Sequence, residues 1–222
     1  RRRAAAAFTA GLKANARIGA YILNNILADK ASDDRLRRYP SWISARNLEH
    51  QIDDATVEAL VRAVSGRYDI VARYYRLKRR LLGVAELFDY DRYAPLPSAD
   101  RVINWADACR LVREAYAGFH PRMGEIADSF IANKWIDAPV EPGKRGGAYC
   151  HATVPSVHPY VFLNYEGSPR DVMTLAHELG HGAHQYLSRD RGLLLADTPL
   201  TMAETASVFG EMLAFEKLIE RE

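Results

Sequence analysis

The chain has 222 residues, 48% of them hydrophobic and 26% charged, with a formal net charge of +2. That balance belongs to a soluble globular protein with room for one large domain or two small ones. The even charge gives no electrostatic case for nucleic acid, no apolar run reaches the length of a membrane span, and Cys109 and Cys150 alone make no disulfide framework.

The first stretch reads almost entirely helical. Arg1-Arg2-Arg3 and the alanines after it suggest a leader, but no sustained apolar core follows, and helical periodicity runs on through Leu12, Ile18, Ile22 and Ile26. One helix over residues 2–28 is expected, then a polar loop through Asp33 and Asp34 to Pro40, and a short helical piece over 43–50. Asp53 and Asp54 can cap a long helix to about residue 82, with Val57, Leu60, Val61, Val64, Tyr68, Val71 and Tyr75 on its apolar face and Gly83 at its end. Its basic tail (Arg73, Arg76, Lys78, Arg79, Arg80) reads as a solvated face in preference to an anion patch. Residues 89–97 form an irregular connector. Helices over 104–117 and 122–133 follow, parted by Pro121.

Near Asp137 the character changes. Pro139, Pro142, Gly143, Gly146 and Gly147 make a loop, and residues 148–154 and 161–164 suit short strands. The exposed edge of such a sheet can pair with an extended peptide; a simple structural hairpin is the equal alternative. His151 and His158 are expected in ordinary structural roles.

The chemistry sits in His177-Glu178-Leu179-Gly180-His181, an H-E-x-x-H pattern. Two His four residues apart on a helix point the same way and can reach one zinc ion, with the intervening Glu beside the water that the ion activates. Ser168-Pro169 and Asp171 suit the start of a helix, and Val172, Leu175, Ala176, Leu179, Ala183 and Tyr186 recur along one apolar face. Catalytic zinc needs a third protein ligand and an open position. Glu204, on a second helix over residues 200–218, is the candidate, because the loop over 188–199 is long enough to turn the chain back. Glu211, two turns further on, reads equally as an acceptor for a ligand imidazole or as a solvated carboxylate. His184 shares a face with His177 without being a candidate for direct ligation. An ordinary pair of helix histidines in a catalytically silent binding or scaffold protein is the rival reading; a zinc peptidase of another H-E-x-x-H family is a second.

The run from Leu175 to Gln185, followed by Ala203-Glu204-Thr205-Ala206-Ser207, resembles peptidase family M3, and within it the oligoendopeptidase F branch. Gly146-Gly147-Ala148-Tyr149-Cys150, Pro155-Ser156-Val157-His158-Pro159-Tyr160, Phe162-Leu163-Asn164-Tyr165 and the stretch from Asn47 to Asp54 are similar to that branch too. The resemblance implies a mainly α, zincin-type helical fold with a small β-sheet next to the HExxH helix. It implies one zinc per chain held by His177, His181 and Glu204, with Glu178 as the catalytic carboxylate. Glu211, His184, Gly147, Ala148 and Tyr149 stand as further candidates for orienting ligands or touching substrate. Short unstructured peptides in the cytoplasm are the implied substrates. Members of the family are longer, with His and Tyr residues downstream that contact substrate, so an internal fragment is expected. Residues 1–138 are its helical part and 139–222 its metal-site part, within one continuous catalytic domain.

Overall fold

The computed structural model describes residues 1–96 and 102–220. The chain forms two compact units, residues 1–99 and 100–222.

The first unit is helical: α1 (Arg2–Ala14), α2 (Ala16–Arg37), α3 (Ser44–Glu49), α4 (Asp54–Ser65) and α5 (Tyr68–Leu81), followed by a 3-10 turn at Asp89–Asp91. The expected first helix is broken at Asn15 and runs well past residue 28. Asp33 and Asp34 lie inside α2, not in a loop. Each pairs with a cation four residues away, Asp33 with Arg37 and Asp34 with Lys30, which supports the helix through its last turns. Arg38, in the left-handed conformation at φ 59°, closes it just before Pro40. Asp53 caps α4 as expected, its carboxylate accepting from the Thr56 N–H at 2.7 Å. The long helix then splits at Gly66 and Arg67, where the residue costliest to a helix interior, after proline, interrupts the pattern. Its apolar stripe is exposed in this unit: Leu60, Val61, Val64, Tyr68 and Val71 all face outward. The one buried residue of α5 is Lys78, from the basic tail, whose ammonium donates to the Arg92 carbonyl at 2.7 Å.

The second unit holds the core. Helices α6 (Trp105–Phe119) and α7 (Pro121–Ala132) lead into strands β1 (Ile136–Asp137), β2 (Tyr149–His151) and β3 (Tyr160–Phe162), then α8 (Pro169–Ser188) and α9 (Leu200–Ile219). Helices α6 and α7 lie in the same compact unit as the sheet and the HExxH helix. Strand β3 is central, parallel to β1 (Ile136 opposite Val161) and antiparallel to β2 (Cys150 opposite Val161). β1 was not expected. It is two residues long, and its ladder continues through backbone bonds from Leu163 to Asp137 and from Tyr165 to Ala138. Lys144 fastens the glycine-rich loop: its nearly buried ammonium donates to the carbonyls of Pro139 and Leu163 at 2.7 and 2.9 Å.

Tyr116, Phe130, Leu163, Leu175, Leu179, Val112, Val161 and Val172 fill the core between these layers. Close approach of α8 and α9 depends on glycine. A Cβ added to Gly180 would lie 2.6 Å from the Ala206 carbonyl oxygen and 2.7 Å from Ser207 Cα, both backbone atoms that cannot swing aside. Gly180→Ala therefore has to push the helices apart. Overpacking of this kind costs about 1–3 kcal/mol, and the gain of about 1 kcal/mol in helix propensity offsets only part of it. A lowered denaturation midpoint checks this; an unchanged or raised midpoint would show that the helices do not touch there.

Candidate metal centre

Helix α8 starts where its sequence says it should. Ser168 and Asp171 form a capping box: the Asp171 N–H donates to Ser168 Oγ at 3.2 Å, and the Ser168 N–H donates to Asp171 Oδ2 at 2.9 Å. Pro169 occupies the first helical turn. From there the helix buries Val172, Leu175, Ala176 and Leu179 and turns His177 and His181 toward α9.

Glu204 meets them. Its Oε2 lies 3.3 Å from His177 Nε2, and its Oε1 lies 3.7 Å from His181 Nε2. The two imidazoles stand nearly perpendicular, at 84°, with centroids 4.9 Å apart. One donor atom from each of the three residues lies within 4.8 Å of the others. Ligands about 2.0–2.2 Å from a tetrahedral zinc are roughly 3.4 Å from one another, so the His–Glu separations fit such an ion. Two imidazoles and one carboxylate are also the donor set that zinc accepts while leaving a position open. Burial holds the His181 imidazole below its ordinary pKa against the opposing pull of Glu204, which favours the neutral form a metal requires.

Two carboxylates flank the group. Oε2 of Glu211 lies 3.2 Å from His177 Nδ1, the nitrogen turned away from Glu204. Glu178 is buried at 6% exposure, and its Oε2 has no hydrogen-bond partner among the described residues. Loss of water around it pushes its pKa up to about 7; the Glu204 carboxylate adds to the rise and His177 opposes it.

The remaining candidates are not among the three converging donors. His184 lines an apolar cavity of about 570 Å³ with Phe119, Met123, Leu187 and Phe209. Gly147 takes a left-handed φ of 94° and its carbonyl accepts from the Asn164 side chain at 3.3 Å. Ala148 is half-buried and packs against the core, and the Tyr149 ring stacks on Phe162 at 4.9 Å. His158 stacks on Trp135 with centroids 4.0 Å apart, and His151 Nδ1 accepts from the Thr153 N–H.

Sequence reasoning did not find what ties β2 to α8. The Cys150 thiol donates to Gln185 Oε1 at 3.2 Å, and Gln185 Nε2 donates to the Cys150 carbonyl at 3.3 Å. Gln185 is two turns beyond Glu178 on the same face, a spacing visible in the sequence, but its partner on a distant strand is not. Burial, with the Glu178 charge nearby, pushes the Cys150 thiol up to about 12, and burial alone pushes Cys109 up to about 11. Thiolate is the reactive form, so both cysteines should resist a disulfide reagent at pH 8 in the folded protein and react once it is unfolded. Rapid labelling of Cys150 in the native state would show that Gln185 does not hold it.

Comparison with known proteins agrees with this architecture. The model of peptidase family M3 matches residues 1–222. An oligoendopeptidase F homolog of Lactococcus lactis subsp. lactis is 28% identical over 187 residues, covering 84% of this chain and 31% of its own length. Oligopeptidase PepF of Bacillus subtilis is 27% identical, covering 83% of this chain and 28% of its own length. Among solved structures, a candidate peptidase from Chlamydophila abortus superposes with a TM-score of 0.73 at 28% identity, over 91% of this chain and 34% of that one. PZ peptidase A with a bound inhibitor shares the fold, with a TM-score of 0.78 at 20% identity over 98% of this chain and 40% of that one. The chain thus spans about a third of the length of these curated relatives. With the family model matched from end to end and its oligoendopeptidase F members recurring among the relatives, the chain belongs to peptidase family M3.

Proposed function

We propose that this chain carries the metal centre of a zinc-dependent endopeptidase that cleaves short, unstructured peptides. The observation that carries the proposal is the convergence of His177, His181 and Glu204 from two helices. In this reading all three ligate a single zinc ion, and Glu211 fixes the ring and tautomer of His177 through Nδ1. A bound zinc ion supplies Lewis acidity, lowering the pKa of water and polarising the scissile carbonyl. Glu178 takes the proton from the attacking water and passes it to the departing amine. Its burial supports that role, since loss of water around a carboxylate raises its affinity for a proton.

Strand β2 is one of the two edge strands of the sheet and reaches α8 through the Cys150–Gln185 pair. Its free edge is where an extended peptide adds, with Gly147, Ala148 and Tyr149 against the substrate backbone. We take residues 1–222 as part of one catalytic domain. Unpaired Cys109 and Cys150 suit a reducing compartment, and the cytoplasm is the location we propose. Among the described residues no helix is long and apolar enough to cross a membrane.

Hydrolysis of an internally quenched peptide by the protein that carries this chain tests the proposal. Activity should disappear with a zinc chelator and return with added zinc. Full activity in metal-stripped protein would end the metallopeptidase reading.

A further inference from the structure

We infer that Ser207 is a positioning residue that aims the Glu204 carboxylate at the metal, an inference that rests on Glu204 being a ligand. Ser207 is fully buried on α9, three residues after Glu204. Its Oγ lies 2.9 Å from Glu204 Oε2 and 3.0 Å from the Glu204 carbonyl oxygen. Oε2 is the same oxygen that faces His177 Nε2 at 3.3 Å.

A hydroxyl has one proton to donate. In a helix interior it usually goes to a carbonyl of the preceding turn, with no consequence for function. Here a second acceptor competes at a slightly shorter distance, and that acceptor is a carboxylate, which makes the stronger hydrogen bond. The Glu204 side chain is half exposed and long, so on its own it samples many rotamers. Ser207 is anchored where α8 and α9 pack closely, its Cα against Gly180, the residue before His181. The contact that sets the separation of the helices therefore also sets the direction of the carboxylate. Pre-orienting Glu204 lowers the entropy lost when it binds metal.

The test is a double-mutant cycle on zinc affinity, measured by competition with a chromophoric chelator in the protein that carries this chain. Ser207→Ala should weaken zinc binding about 10–100-fold, the range found when an orienting partner of a ligand is removed. The same substitution in a Glu204→Ala background should weaken the residual binding by His177 and His181 by less than twofold. Ser207→Gly also removes the donor, adds neither bulk nor a metal-binding atom, and should match Ser207→Ala; it decides the matter if the alanine variant does not fold. Wild-type affinity in these variants, or an equal loss in both backgrounds, would overturn the inference and leave Ser207 a structural residue. If Glu204→Ala binds zinc as tightly as the native protein, the ligand assignment itself fails, and the inference with it.

Discussion

In the proposed mechanism, Glu178→Gln should lower turnover of a quenched-fluorescent peptide by roughly 10²–10⁴-fold, the contribution of a positioned general base, while zinc stays bound. The amide keeps the shape of the side chain but accepts no proton from water. Zinc retention follows because Glu178 is not among the three converging donors. The variant should also fold at least as well as the native protein. A buried carboxyl with an unpartnered oxygen is costly, and a neutral amide removes the charge that burial disfavours. Parallel measurement of kcat, zinc content and thermal midpoint separates these effects. Unchanged hydrolysis would remove Glu178 from the mechanism, whereas loss of zinc together with activity would point to a direct role in holding the metal.

If the proposed site is right, His177→Ala should weaken zinc binding by more than the roughly 10–100-fold expected for losing an orienting partner, because it would delete a ligand outright and leave Glu211 with nothing to orient. Glu211→Ala gives the internal comparison and should fall within that smaller range. Equal, small losses in the two variants would mean that His177 is not a ligand.

Helix α8 was legible because its determinants are local. Ser168, Pro169 and Asp171 fix its start, and the three- to four-residue apolar spacing fixes its buried face. Glu204 was within reach of the same reasoning, since a short loop and a second helix leave few ways to pack. What could not be read depends on partners far away in sequence. The bond between Cys150 and Gln185 joins a strand to a helix 35 residues later, and β1 exists as a strand through pairing with β3. The stripe on α4 and α5 shows the opposite failure: periodicity identified an apolar face correctly, but it is exposed in the first unit. Asp33 and Asp34 misled for another reason. Paired acidic residues favour turns in general, yet here Arg37 and Lys30 stand at helical spacing to hold them. Ser207 lies between these extremes. Its three-residue step from Glu204 is plain in the sequence, whereas its contact with Gly180 depends on how two helices cross.

Zinc stoichiometry in Glu204→Ala tests the central assignment most directly, since the two histidines share one helix and the glutamate alone brings in the other. The native protein should hold one zinc ion per chain through exhaustive dialysis, and the folded variant should lose it. A variant that keeps a full equivalent of tightly bound zinc would contradict the convergence of α8 and α9 on one ion.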